Sequence, residues 1–441
     1  MSTRTILGVF GLALLLGCRP PTPDSVILIV VDTLRADHLG FYGYDRSTSP
    51  RLDDWARRGV VFEQALSTSP WTLPTFGSIL TGLIPSEHGA GERARESGKR
   101  WKRAPLRESV FTLPEALSNQ GWQTAAVVSN PFLREHFGLS RGFDIYDYQR
   151  GRTADQVIDT ALTVVEQLQE KPFFLMVHLI DPHLPYSAPK AFRGKFSGGA
   201  PTGEIGKSRK EIVSTLDDLS ADDRQHIVDR YDEEIAFVDQ EVGRFLDQLD
   251  QLGIFDHSLV VLTSDHGEEL FDHGDFEHGH SMHQELLRVP LVMWETNLEP
   301  RREPAPFSLV DFAQTIYAAT QRTTNPSLSG SSRWESIRKV DVAGGRPIVA
   351  ENTLWSSEQK VLVRWPHKLI LHEKSGRREL YDLENDPLEH NDLANLHPDI
   401  ADRLVQALTD RLSSTASDPS RESMIISDET EQELRSLGYL D

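Results

Sequence analysis

Three unbroken apolar runs, VILIVV (26–31), FFLMVHL (173–179) and SLVVLT (258–263), constrain this chain more than any other feature. Runs without polar alternation belong to strands covered on both faces, the pattern of a parallel sheet. Between them, 153–169 and 222–251 place apolar residues at three- and four-residue spacing, which predicts helices. Strand followed by helix, repeated, predicts an α/β fold: a large, mostly parallel sheet sandwiched by helices. After a Ser/Thr-rich stretch at 320–334, PIVAEN, KVLVRW and HKLILH read as short strands broken by turns. The expected division is a main domain over 26–320, a linker over 321–340, a small antiparallel-sheet subdomain over 341–413 and a tail over 414–441.

The first 18 residues, MSTRTILGVFGLALLLGC, set Arg4 before an apolar run from Ile6 to Leu16 that is too short to span a bilayer. Leu15-Leu16-Gly17-Cys18 resembles the bacterial lipobox. The expectation is therefore an exported lipoprotein of the periplasm or cell envelope. Residues 1–18 would be its signal peptide, Cys18 its membrane anchor and 19–25 a proline-rich tether, with a plain secretory signal as the alternative. Cys18 is the single cysteine, which excludes disulfides, Cys-rich zinc sites and a thiol nucleophile from the mature domain. A net charge of −21 argues against nucleic acid as a partner. An anionic substrate needs a local basic patch, and residues 93–107 offer seven lysines and arginines against Glu96, with Trp101 among them. A solvated loop has the same composition.

Three segments carry chemistry. Asp32 directly follows the first run, where open parallel sheets bind ligands beyond the carboxyl ends of their strands. Asp265-His266-Gly267 follows another run, and an adjacent Asp and His there can offer an oxygen and a nitrogen to one divalent cation. The third is SPWTLPTFGSILTG (69–82). Pro74 suits a first helical turn and Thr72 lies near its start, where free N–H groups favour an anion. The Thr72 hydroxyl is either a helix cap or, beside a metal, a nucleophile.

In order and spacing these segments resemble the sulfatase family of the alkaline-phosphatase-like superfamily. The resemblance continues through GLIPSEHG (82–89), DPHLPY (181–186), HGHSMHQELLRVPLV (278–292), SLVDFAQTIY (308–317), LYDLENDPLEHNDLA (380–394) and ELRSLGYL (433–440). It implies an alkaline-phosphatase-like fold, one divalent metal ion held by Asp32, Thr72, Asp265 and His266, and Thr72 at the nucleophile position. It aligns His183 and His280 with the basic residues that bind the ester and protonate the leaving oxygen. Asn130, His178 and His278 are the expected substrate contacts. His178, Asp181, His183 and His278 could hold a second ion.

The departures narrow the activity. The formylglycine precursor, Cys or Ser followed by x-Pro-x-Arg, is replaced by Thr72-Leu73-Pro74-Thr75-Phe76. Thr33 stands for a second aspartate, Ser129-Asn130-Pro131 for a Lys-x-His, and His266 for an Asn. Sulfated formylglycine expels sulfate by collapsing to an aldehyde, an exit closed to threonine, whereas phosphothreonine can be released by a second in-line attack. Imidazole suits zinc or manganese better than calcium. The sequence reading is a metal-dependent hydrolase or transferase of an anionic ester on a glycan, lipid headgroup or small molecule. Phosphoester or phosphodiester is preferred. Sulfuric ester hydrolysis and non-catalytic glycan or lipid binding in the envelope stay open as alternatives.

Overall fold

The computed structural model describes residues 22–95, 101–168, 172–197, 209–320, 328–339, 345–413 and 428–436. The first apolar run lies in strand β1 (Ser25–Val31), and its residues divide by parity. Val26, Leu28 and Val30 enter one hydrophobic core, while Ile27, Ile29 and Val31 enter another on the opposite face. Two covered faces leave no room for polar alternation.

Seven more strands complete the sheet: β2 (Val60–Phe62), β3 (Gln123–Val128), β4 (Ile145–Tyr148), β5 (Phe173–Leu179), β6 (Ser258–Ser264), β7 (Leu291–Trp294) and β8 (Arg301–Glu303). Their order is β8-β2-β7-β6-β1-β5-β3-β4. β6, β1, β5, β3 and β4 are mutually parallel, and β7 runs antiparallel to both of its neighbours. Helix α1 (Thr72–Thr81) buries Leu73, Phe76, Ile79 and Leu80 in the first core. Helices α2 (Ala154–Leu168) and α3 (Ala221–Gln251) cover the second. Val31 is level with Leu179 of β5 on one side and Ser264 of β6 on the other. The residues that follow these three strand ends therefore emerge side by side.

A separate antiparallel sheet follows, of β9 (Ile348–Ala350), β10 (Gln359–Arg364), β11 (His367–His372) and β12 (Arg378–Asp382) in sequence order. Helix α4 (Pro398–Ser413) closes it, setting Ala401, Leu404 and Leu408 against Leu362, Leu369 and Leu380. Two polar stretches differ from the sequence expectation. Residues 328–339 are packed rather than a loose linker: Gly330 N donates to Gly82 O at 2.8 Å, and Trp334 and Ile337 join the first core. The expected tail contains helix α5 (Asp428–Ser436), which returns to the main domain with Leu434 in that same core and Glu433 3.0 Å from the Tyr148 hydroxyl. A few apolar anchors in a polar stretch do this, and average composition conceals them. The anchor at Cys18, the centre of the basic segment at 96–100 and residues 414–427 lie outside the described residues.

Candidate active site

Asp32 and Asp265 leave adjacent parallel strands, so their carboxylates converge, and His266 follows at once. One ligand atom from each of Asp32, Asp265 and His266 lies within 4.8 Å of the others, and all three side chains are buried. His266 Nε2 is 3.5 Å from Asp32 Oδ1 and 3.4 Å from Asp265 Oδ2. Its Nδ1 is tied to Gly267 O at 2.9 Å, which aims Nε2 at the carboxylates. Gly267 is required for a reason other than a turn. A Cβ there would come 1.9 Å from Glu285 O, so only glycine lets the two backbones approach. Thr33, a β-branched residue, sits at φ 56°, in the left-handed region where such residues are strained.

The charges at this centre are incomplete. Burial pushes the Asp32 carboxyl up, but the His178 hydrogen bond and the fields of His183, His178 and His266 outweigh it and hold it at about 2. Asp265 goes the other way, raised by burial and by the neighbouring Asp32 charge. Burial lowers His266 to about 4, so the ring is neutral. Asp32 Oδ1 and Asp265 Oδ2 are buried oxygens with no hydrogen-bond partner among the described residues. Two carboxylates crowded together, a neutral imidazole aimed at both and two orphaned oxygens fit a divalent cation, which would keep both acids ionised.

Thr72 is the first residue of α1, whose N-cap is Trp71, and no side chain caps this helix. The hydroxyl is thus not a cap. Thr72 Oγ1 lies 3.4 Å from His266 Nε2 and accepts from Asn130 Nδ2 at 3.3 Å. The competing hydroxyls are engaged elsewhere: Thr75 donates to Trp71 O, Ser69 to Asn352 O, and Ser78 lies 3.2 Å from His88 Nε2. Asn130, just beyond β3, donates to Asp32 Oδ2 at 2.6 Å as well as to Thr72, while its Oδ1 accepts from Phe132 N. It bridges the Asp32 carboxylate and the Thr72 hydroxyl, a position compatible with the expected substrate contact. Phe76, one turn into α1, presents a ring 5.4 Å from that of His178 rather than a charge.

The histidines divide. His178 on β5 reaches Asp32 Oδ2 at 3.3 Å. His183 and His278 are buried, their rings 5.1 Å apart, and His278 lies 4.4 Å from His266. His280, expected at the leaving oxygen, is directed elsewhere: its Nε2 lies 2.6 Å from Glu269 Oε2. His278, two residues earlier, occupies the place beside His266. The expected second-ion set changes likewise. Asp181 faces the backbone of Ala154 and the charges of Asp155 and Glu234, and Glu277 takes its place beside His183 and His278. No spacing rule pointed to Glu277, because adjacent residues normally project to opposite sides. In the basic segment, Arg103 stacks over Trp71 and bonds Leu354 O, while Arg107 bonds Glu87 O. Both serve the interior.

A family model described as Sulfatase matches residues 24–321. An arylsulfatase of Clostridium perfringens is 22% identical over 436 residues, covering 84% of this chain and 90% of its own. Among solved structures, an enzyme captured with its substrate D-glucosamine-2-N,6-O-disulfate superposes with a TM-score of 0.74 at 20% identity, over 91% of this chain and 100% of its own. The phosphonate monoester hydrolase of Agrobacterium radiobacter does so with a TM-score of 0.71 at 18% identity, over 89% and 96%. With the family model spanning most of the chain and the same fold on these neighbours, the chain belongs to the sulfatase family of hydrolases, with the alkaline-phosphatase-like fold.

Proposed function

We propose that this hydrolase cleaves a phosphoester, phosphodiester or phosphonate ester through Thr72, with the metal ligands Asp32, Asp265, His266 and Thr72 itself. The observation that carries the reading is the uncapped Thr72 hydroxyl, held 3.4 Å from His266 Nε2 at the start of α1. Thr72 Oγ1 gives up its proton to solvent and attacks phosphorus, and the bond to the leaving oxygen breaks as that oxygen takes a proton from solvent, so the first step is proton-neutral. Water then attacks the phosphothreonine in line, releasing phosphate, a phosphate monoester or phosphonate according to the substrate, and a proton returns to Thr72 Oγ1 to restore the hydroxyl. A divalent cation bound here would lower the hydroxyl pKa and neutralise charge on the transferred group. Asn130 fixes the hydroxyl relative to Asp32, and the free N–H groups at the start of α1 favour the anion. His183 and His278, buried with rings 5.1 Å apart and His278 beside His266, are the residues this reading assigns to the leaving oxygen.

Threonine cannot become an aldehyde, and Phe76 stands where the family's arginine would be. Both favour phosphorus over sulfur, and the fold shared with phosphonate monoester hydrolases is compatible with this choice. The test is a panel of aryl phosphate, phosphodiester, phosphonate and sulfate esters with zinc, manganese or calcium, combined with mass spectrometry of quenched enzyme. Phosphorus esters should be turned over and leave a phosphoryl group on Thr72. Turnover of sulfate alone, or wild-type turnover by Thr72→Ala, refutes the reading. Membrane anchoring through Cys18 belongs to the same proposal. A diacylglyceryl group on Cys18 supports it, and a mature chain starting elsewhere does not.

A further inference from the structure

We propose that Tyr231, from helix α3, and Ser264, the last residue of β6, are positioning residues that hold the turns of Asp32 and of Asp265-His266 in ligating geometry. The inference rests on the reading of Asp32, Asp265 and His266 as cation ligands, and is independent of Thr72 and of the choice of phosphorus. Its starting point is Thr33. A β-branched residue at φ 56° is strained, and other contacts must offset that strain. The Thr33 side chain does not, because its buried Oγ1 has no hydrogen-bond partner among the described residues. Its backbone does. The Thr33 N–H bonds the Asp265 carboxyl, and its carbonyl accepts from the Tyr231 hydroxyl at 2.7 Å.

The same hydroxyl accepts from Arg35 N at 3.0 Å, so Tyr231 grips the chain on both sides of Leu34. Leu34 N donates to Ser264 Oγ at 3.0 Å, and Ser264 donates to His266 O at 2.6 Å. Two hydroxyls from remote segments thus fasten the three residues after Asp32, and Ser264 ties that turn to the one carrying Asp265 and His266. Tyr231 and Ser264 are both fully buried, and the Tyr231 ring meets those of His38 and Tyr186 edge to face. Burial also pushes the phenol well above its usual range, so it keeps the proton that Thr33 O receives.

The pairing of Val31 with Ser264 brings Asp32 and Asp265 level, but level residues are not yet aimed. The N–H groups of Thr33 and His266 both bond the Asp265 carboxyl, while its Oδ2 stays without a partner, 3.4 Å from His266 Nε2. Released from Tyr231, Thr33 would relax toward the extended or right-handed regions that β-branched residues prefer. The Asp265 carboxyl would then lose that N–H and its direction.

The experiment measures the zinc affinity of the metal-stripped full chain by competition with a chromophoric chelator. Tyr231→Phe, which keeps the ring and loses the hydroxyl, should bind zinc about 10–100-fold more weakly than wild type, and Ser264→Ala likewise. Tyr42→Phe is the control for a structural role alone. The Tyr42 hydroxyl makes the same pair of backbone bonds, to Phe62 O at 2.7 Å and from Leu291 N at 3.0 Å, but between β2 and β7. That variant should lower the unfolding midpoint and keep wild-type affinity. Thr33→Gly removes the strain, so adding Tyr231→Phe to it should cost less than about tenfold, and the double-mutant cycle reads the difference as coupling. If Tyr231→Phe does not fold by circular dichroism, the affinity of Ser264→Ala carries the test. Wild-type affinity in folded Tyr231→Phe or Ser264→Ala, or equal losses with and without Thr33→Gly, would overturn the proposal. A wild type that binds no zinc would refute the ligand reading and this proposal with it. Turnover by Thr72→Ala would refute the phosphothreonine route alone and leave the affinities to judge this one.

Discussion

Two groups of histidines and acids, both drawing on residues 265–285 of the chain, have opposite electrostatics. At the strand ends, Asp32, Asp265 and His266 are fully buried, their outer carboxylate oxygens are orphaned, and the imidazole is pushed down to about 4 by burial. At the seam with the C-terminal sheet, the rings of His273 and His283 stack 3.8 Å apart at 8°, and His273 Nδ1 lies 2.8 Å from Glu285 Oε1. His283 stands between Glu285 at 4.0 Å and Glu379 at 3.5 Å. Burial lowers His273 too, but its hydrogen bond with Glu285 and that residue's charge outweigh this and raise it to about 9. Glu379 is further held by His372, Tyr381 and Arg377. No side chain of the first group supplies a cation to its two carboxylates, so the set suits a bound divalent ion. The second supplies its own cation, the His273 imidazolium, and latches the C-terminal sheet to the main domain. Residue type does not separate the two; the partnering of the carboxylates does, and parallel stacked rings are poorly disposed to share an ion.

The sharpest way to break this contrast is Asp265→Asn. It should weaken metal binding by more than about 100-fold, beyond the usual cost of an outer-shell partner, and abolish turnover. Elemental analysis after dialysis reads the result, and full occupancy would remove the distinction. Next is Asn130→Ala, which should keep the ion yet lower turnover by about 10–100-fold, because the bridge between Asp32 and Thr72 is lost together with the bond from Phe132 N. A normal rate would return Asn130 to a bystander.

Glu285→Gln probes the other group. It should leave metal content and turnover unchanged while costing about 1–2 kcal/mol of stability in denaturant unfolding, since a half-buried, charge-assisted hydrogen bond is broken. Loss of an ion in this variant would show that the latch is a metal site after all. The smallest effect is on pH. The folded His273 pKa is raised above the unfolded value of 6.5, so its stabilisation is fully present below 6.5 and lost as pH rises through about 9. The gap in unfolding midpoint between wild type and His273→Gln, no more than about 1 kcal/mol for a partly exposed group, should close between pH 6 and pH 10. An unchanged gap would mean that stacking, not charge, holds the latch.

Much of this centre was legible because it sits at strand ends. An apolar run marks a buried strand, and the acid or imidazole that follows it, Asp32 or Asp265-His266, can only emerge at the carboxyl edge of the sheet. Thr72 was legible because Pro74 and the small residues after it mark a helix start. The different partners of His278 and His280 were not, because the chain near Phe276–Glu277 forms a short strand with a left-handed residue, a local turn that residue spacing does not reveal. Residues 328–339 and helix α5 were missed because their few buried side chains, Trp334, Ile337 and Leu434, are outnumbered by polar neighbours.

The sequence by itself determined the α/β sheet and the placing of Asp32 and Asp265-His266 at strand ends, because both depend on residue type and local periodicity, and its resemblance to the sulfatase family exposed Thr72 at the formylglycine position. Only the tertiary structure decided that the Thr72 hydroxyl is not a cap, that Asn130 positions it, and that Glu277 turns toward His183 and His278. It also decided that Gly267 is needed for the approach of Glu285 O. These depend on distances between segments remote in the chain or on a single dihedral angle, and neither is encoded in the spacing of residue types.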